Sequence, residues 1–194
     1  GGFDVFQTLN TLFEAYPRRR QFFRTQLVEF LLLARENGID PLAVNGSYAG
    51  AFGQTQFIPS SYRAYAVDFD GDGRRNVMSS VPDVLASIAN YLKRFGWTYG
   101  EPIYWEVGSE LKTPRLKAAY EAGRKGKIPW QLVKEAQGVA IPPASGEVTL
   151  VGLKQADGTT RYVAGYPNFQ AITAWNHSNH YAMAVTELAE RFRE

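Results

Sequence analysis

Residues 46–61 read Gly46-Ser-Tyr-Ala-Gly-Ala-Phe-Gly-Gln-Thr-Gln-Phe-Ile-Pro-Ser-Ser61, and the chain continues through Tyr65-Ala-Val-Asp-Phe-Asp-Gly-Asp-Gly73. The first run is small residues punctuated by Ser47, Gln54, Gln56 and aromatics, the composition of backbone packed closely around a ligand. The second spaces Asp68, Asp70 and Asp72 two apart and closes on Gly73. Carboxylates at alternate positions converge on one hard cation, and the glycine takes the sharp turn, as in a calcium loop. Arg74 then offers a backbone carbonyl at loop position 7, and Asn76 stands at position 9. Ser79 replaces the usual bidentate glutamate at position 12, so Asp83 is the next carboxylate able to close the shell. The competing reading is a solvated Asp/Gly turn.

Around this centre the pattern is mainly helical. Val5, Phe6, Leu9, Leu12 and Phe13 repeat at helical spacing over 4–13. Pro17 suits the first turn of a helix over 17–36, with Phe23, Leu27, Phe30, Leu31 and Ala34 as its core stripe and Asn37-Gly38 as its stop. Pro59 opens a short helix. A helix over 81–95 presents Leu85, Ile88, Ala89, Leu92 and Phe95 inward, with Ser87 and Tyr91 on another face. Ser80 and Asp83 fit a capping box there, which competes with a metal role for Asp83. Residues 97–111 read as an aromatic-rich loop, 114–122 as a weak helix, and 123–146 as irregular with one turn after Pro129. Alternation from 147 to 164 around Asp157-Gly158 predicts a β-hairpin. A last helix over 179–193 buries Tyr181, Ala184, Val185, Leu188 and Phe192.

Bulk properties narrow the function classes. With 194 residues, 45% hydrophobic and 21% charged, the chain can bury one good core. A net charge of +2 argues against a nucleic-acid binder. Zero cysteines remove disulfides and thiolate metal sites. The two histidines, His177 and His180, are weak evidence for a metal without such partners. No phosphate loop or nucleophile elbow is present. What stands out is a density of Trp, Tyr, Phe, Asn and Gln outside regular elements, the lining that holds sugar rings by their apolar faces and hydroxyls.

The runs 46–61 and 65–73, together with Asn90-Tyr-Leu-Lys-Arg-Phe-Gly-Trp97, Tyr16-Pro-Arg-Arg19, Trp175-Asn176 and Tyr181-Ala-Met-Ala-Val185, resemble the membrane-bound lytic murein transglycosylase B family of bacterial cell-wall enzymes. The resemblance spans nearly the whole chain. It implies one lysozyme-like α+β domain over 1–194 with an EF-hand-like loop at 62–83, and an enzyme that cleaves the MurNAc-β-1,4-GlcNAc bond without water to leave a 1,6-anhydromuramoyl end. It implies Ser47, Gln56, Phe57, Tyr91, Trp175, Asn176 and Tyr181 as substrate-groove residues, with Trp175 where a tyrosine is expected. It implies structural Ca²⁺ held by Asp68, Asp70, Asp72, Arg74 and Asp83. The partners it implies are peptidoglycan glycan strands and other cell-wall enzymes, for a monomer in the bacterial periplasm, soluble or outer-membrane anchored.

One departure bears on catalysis. The family's single acid/base glutamate precedes the stretch matching Phe3–Leu12, so it is expected upstream of residue 1. Glu14, Glu29 and Glu36 are poor substitutes. The 194 residues alone are therefore expected to be inactive, and the alternative from another class is a non-catalytic peptidoglycan-binding or scaffold module.

Overall fold

The computed structural model describes residues 1–192, so residue 193, where the last helix was expected to end, lies outside the described residues. The chain forms two compact units, Gly1–Tyr91 and Leu92–Glu194. Among the described residues no helix is long and apolar enough to cross a membrane.

The first unit is built on helices. A two-residue strand β1 (Phe3–Asp4) pairs antiparallel with β2 (Asn45–Gly46). Helix α1 (Val5–Ala15) starts where the Asp4 carboxylate accepts the Gln7 N–H at 2.8 Å, and it buries Val5 and Leu9. After a 3-10 turn at Pro17–Arg19 comes α2 (Arg20–Asn37), ended by Gly38 at φ +63. The buried face of α2 is Phe23, Gln26, Phe30, Leu33, Ala34 and Asn37. Leu31, expected inside, is exposed. The face turns this way because its two polar members hold backbone: Gln26 Oε1 accepts Ser60 N–H at 2.9 Å, and Asn37 Oδ1 accepts Arg75 N–H at 3.2 Å. Helix α3 (Pro59–Tyr65) is tied to α2 by Arg63, which pairs with Glu29 at 2.6 Å and Glu36 at 2.7 Å.

Helix α4 (Val81–Arg94) corrects the expected face. It buries Asp83, Val84, Ser87 and Tyr91, and leaves Leu85 62% exposed. The polar stripe wins because its groups are satisfied: Ser87 Oγ accepts Val67 N–H at 3.0 Å, and Asp83 accepts three backbone donors described below.

In the second unit the expected hairpin, β5 (Val148–Lys154) with β6 (Thr160–Gly165), is the centre of a four-stranded antiparallel sheet ordered β3-β6-β5-β4. Strand β3 (Tyr104–Gly108) lies in the stretch expected to be loop, and β4 (Lys127–Ile128) in the stretch expected to be irregular. Each needs a partner distant in sequence to show itself. Helices α5 (Pro114–Glu121) and α6 (Trp130–Gln137) contribute Leu116, Ala119 and Val133 to a core with Leu150, Ala164 and Tyr166. A second cluster joins Val151, Leu153 and Val163 to α7 (Pro167–Trp175) and α8 (Asn179–Arg191). Helix α8 buries Ala182, Met183 and Thr186, one position off the expected stripe, and leaves Leu188 and Phe192 exposed. The Thr186 hydroxyl is satisfied by Ala182 O at 2.8 Å, which lets a polar residue take an inward position.

Candidate functional site

In the first unit the run 46–58 is a tight loop held by its own backbone. Phe52 is fully buried and bridges both Gly46 and Phe57. Gly50 and Gly53 have φ +79 and +68, and an added Cβ would sit 2.5 Å from Leu9 Cδ2 or 2.7 Å from Val77 Cγ2. Both positions therefore require glycine twice over, for conformation and for space. Ser47 Oγ accepts N–H from Ala49 at 3.3 Å and Ala51 at 3.1 Å. With both lone pairs engaged, its hydroxyl proton is left to donate outward. Gln56 is exposed at φ +49, the one non-glycine with positive φ among the described residues. Its Nε2 donates to Gly53 O at 2.9 Å, so one amide proton and the amide oxygen stay available. Next to it Thr55, 2% exposed, has a buried hydroxyl without a hydrogen-bond partner.

Phe57 and Tyr91, two of the residues expected in the groove, pack against each other. Their ring centroids are 5.8 Å apart, and Tyr65 meets Tyr91 edge-on at 4.8 Å. Both are largely buried, Phe57 at 3% and Tyr91 at 7% exposure, so they support the loop from beneath. Burial, with a smaller contribution from Tyr65, pushes the Tyr91 phenol up. Trp175, Asn176 and Tyr181 belong to the second unit, at the joint between α7 and α8. Asn176 ends α7 in extended conformation, and Ser178 caps α8 by accepting Tyr181 N–H at 3.2 Å.

The aspartate loop lies in the first unit. Asp68, Asp70 and Asp83 each place a carboxylate oxygen within 4.8 Å of the others. Asp68 accepts the N–H groups of Gly71 at 2.8 Å and Gly73 at 2.9 Å, which wraps the loop around it. Asp72 is not in the group of three; its Oδ1 accepts Arg74 N–H at 2.8 Å. Asp83 is fully buried and accepts N–H from Phe69 at 2.8 Å, Asn76 at 2.7 Å and Asp70 at 3.4 Å. Burial raises its pKa, but these backbone donors outweigh it and hold the carboxyl below the usual range. The competition with capping resolves cleanly: Ser80 Oγ accepts Asp83 N–H at 3.4 Å and donates to Asp70 Oδ2 at 2.7 Å, while the Asp83 carboxylate faces the loop. Three all-oxygen donors converging in this way fit a hard divalent cation.

Two places escaped sequence reading. A cavity of about 200 Å³ in the second unit is lined by Tyr120, Arg124, Thr149, Gln170, His177 and Asn179. Arg124 there donates to Thr173 O at 3.1 Å, the same carbonyl that His177 Nδ1 meets at 3.0 Å. Nothing in residues 123–146 signalled it, because the cavity exists only once the sheet has formed. An aromatic cleft around 97–105 is the other.

The family described as "Transglycosylase SLT domain" matches residues 1–190. The chain belongs to that family. The SLT domain is 42% identical over 188 residues to the membrane-bound lytic murein transglycosylase B of Escherichia coli K12, covering 96% of this chain and 50% of the relative. The E. coli lytic transglycosylase Slt35, solved in complex with calcium, superposes with TM-score 0.83 at 39% identity, over 98% of this chain and 59% of that one. SltB3 from Pseudomonas aeruginosa, in complex with NAG-anhNAM-pentapeptide, gives TM-score 0.80 at 34% identity, over 100% of this chain and 52% of that one. The SLT domain thus spans half the length of the curated relative.

Proposed function

We propose that the protein containing this SLT domain is a peptidoglycan lytic transglycosylase of the bacterial periplasm. It cleaves the MurNAc-β-1,4-GlcNAc bond and leaves a 1,6-anhydromuramoyl end. The observation that carries this reading is the preorganised 46–58 loop in a chain whose relatives include one solved with an anhydromuramoyl ligand. In this reading the Ser47 hydroxyl and the free amide groups of Gln56 hydrogen-bond the sugar, and Phe57 and Tyr91 fix the loop beneath them. Trp175, Asn176 and Tyr181 supply the aromatic and amide contacts of the second unit. A single glutamate gives its proton to the leaving oxygen and takes one from the muramoyl C6 hydroxyl, which a carboxyl with tuned pKa can do in both directions. Glu29 and Glu36 are not offered for this role, because Arg63 engages both.

The aspartate loop is read as a structural calcium site. Asp68, Asp70 and Asp83 would hold the ion, with Asp72 and the Arg74 carbonyl completing the shell, and the bound ion would supply charge neutralisation alone. The relative solved with calcium supports this assignment.

Digestion of purified sacculi by the full-length protein tests the enzymatic reading. Anhydro-ended muropeptides are expected. Reducing muramic acid ends would make the protein a hydrolase, and binding without release would make it a scaffold module.

A further inference from the structure

The stretch Gly96-Trp-Thr-Tyr-Gly-Glu-Pro-Ile-Tyr-Trp105 places four aromatics in ten residues, two of them on the edge strand β3. In the second unit it forms a cleft of about 570 Å³ with the end of α8, within the size range of small-ligand sites. Trp97, Tyr99, Tyr104, Trp105, Glu101 and Glu190 line it. Tyr99 is 97% exposed and Trp105 is 42% exposed, a heavy outlay of apolar surface to water for which the fold gives no return.

The loop carrying them is rigid. Asn168 on α7, 1% exposed, accepts Thr98 N–H at 2.8 Å and donates to the carbonyls of Thr98 and Glu101, both at 2.9 Å. Gly96 and Gly100 take the turns at φ +92 and +81. Tyr166 N–H donates to Ile103 O at 3.0 Å and fixes the exit into β3. A buried amide spends three hydrogen bonds on a loop that packs Trp97, Ile103 and Tyr104 on the second core cluster and leaves Tyr99 and Trp105 outside it. Such a loop is preorganised for something outside the chain.

The charges narrow the ligand. Glu106 and Glu187 share one cation, Arg161, so the three groups together keep a single negative charge. Among the described residues Glu190 forms no ion pair, and the Glu101 carboxylate accepts the Ser145 N–H at 3.3 Å without an ion pair of its own. Among the described residues the lining of the cleft therefore offers aromatic faces beside two acceptor carboxylates and no lysine or arginine. Acidic ligands are repelled. Ring C–H faces stack on the aromatics, and hydroxyls donate to the carboxylates.

We propose that this cleft is a second binding site, for a neutral oligosaccharide, distinct from the loop around Gln56. The proposal does not rest on the transglycosylase reading, and a hydrolase or a scaffold would carry the site equally. A cationic peptide is the other ligand that acids and aromatics attract, and the test separates the two.

The test follows the Trp105 indole N–H signal of the 194-residue chain during titration with chitotetraose, and repeats it for Tyr99→Ala and Gln56→Ala. Tyr99 is so exposed that its truncation leaves the fold alone. The Trp105 signal is expected to shift saturably in the wild type and equally in Gln56→Ala, and to need about fivefold more saccharide in Tyr99→Ala. A Trp105 signal that stays still up to about 10 mM chitotetraose, where a millimolar site is mostly filled, overturns the proposal. So does an unchanged midpoint in Tyr99→Ala, or a shift with a lysine-rich peptide but none with saccharide.

Discussion

Gln56 lets stability and activity be pulled apart. Its backbone at φ +49 lies in the left-handed region, where a side chain costs about 1–2 kcal/mol. Its Nε2–Gly53 O bond at 2.9 Å returns about 1 kcal/mol. Gln56→Ala keeps the strained backbone and loses the bond, so it should destabilise by about 1 kcal/mol. Gln56→Gly loses the same bond but relieves the strain, at an entropic cost of about 0.5–1 kcal/mol for the freer unfolded chain. The two changes nearly cancel, and Gln56→Gly should melt close to wild type. At about 2–4 °C per kcal/mol for a chain of this size, the glycine variant should melt a few degrees above the alanine variant. Sacculus digestion by the parent protein is the paired assay, and both variants should lose it to the same extent, because both lack the amide. An alanine variant that melts above the glycine variant would refute the strain argument. Cleavage retained by Gln56→Gly would make the amide a structural clasp with no sugar contact.

Calcium added to chelated protein should raise the unfolding midpoint, by about 2.7 kcal/mol of stability at 100-fold excess over the dissociation constant, with Mg²⁺ a poor substitute. Asp70→Asn should weaken the response more than Asp72→Asn, since Asp70 and not Asp72 is in the converging group; no response to Ca²⁺ in the wild type would remove the site. Thr55→Val replaces an unpartnered buried hydroxyl by a methyl of similar shape and should stabilise by about 1 kcal/mol in chemical denaturation; a loss would mean the hydroxyl has a partner. Burial chiefly pushes the phenols of Tyr62 and Tyr166 up to about 12 from 10.0. Their stabilisation is whole below pH 10 and is lost as the pH rises towards about 12, so the midpoint should fall across that window and fall less in Tyr62→Phe.

Much of this was legible in the sequence, and what was missed has physical causes. Start and stop signals at Pro17, Gly38 and Pro59 placed α2 and α3, and the helical spacing of Val5, Leu9 and their neighbours placed α1, because each acts within a few residues. The aspartate spacing foretold the clustering of Asp68 and Asp70 for the same reason. Helix faces were misread where a polar residue was the buried one. On α4, Asp83 and Ser87 go inward because loop N–H groups far along the chain need acceptors, and hydrophobic periodicity cannot see such a need. Strand β3 was hidden because its pairing partner is β6, with Tyr104 opposite Gly165 and Gly108 opposite Tyr162, far along the chain. The Ser80–Asp83 pair shows the limit from the other side: the motif signals a helix start, but the Asp83 carboxylate turns away to a different task.

That turning away connects two parts of the first unit that share no sequence neighbourhood. Asp83, Ser87 and Tyr91 recur every four residues along one face of α4. The first gathers the N–H groups of Phe69, Asp70 and Asn76, the second holds Val67, and the third packs on Phe57 in the glycine loop. A second route runs through Val77, whose carbonyl accepts Gln54 N–H at 2.8 Å and whose side chain fills the space a Cβ on Gly53 would need. Gln54 Nε2 adds a bond to Met78 O at 3.1 Å. The aspartate loop is thus clamped to the Gln56 loop from both ends, by a helix face and by a backbone bridge. Cation binding would order the segment 68–76 against Asp83, and that order would be passed to Gln56 by contact, with no ion near the sugar. The buried polar stripe on α4 is the element through which a metal bound at the aspartate loop would bear on the proposed groove.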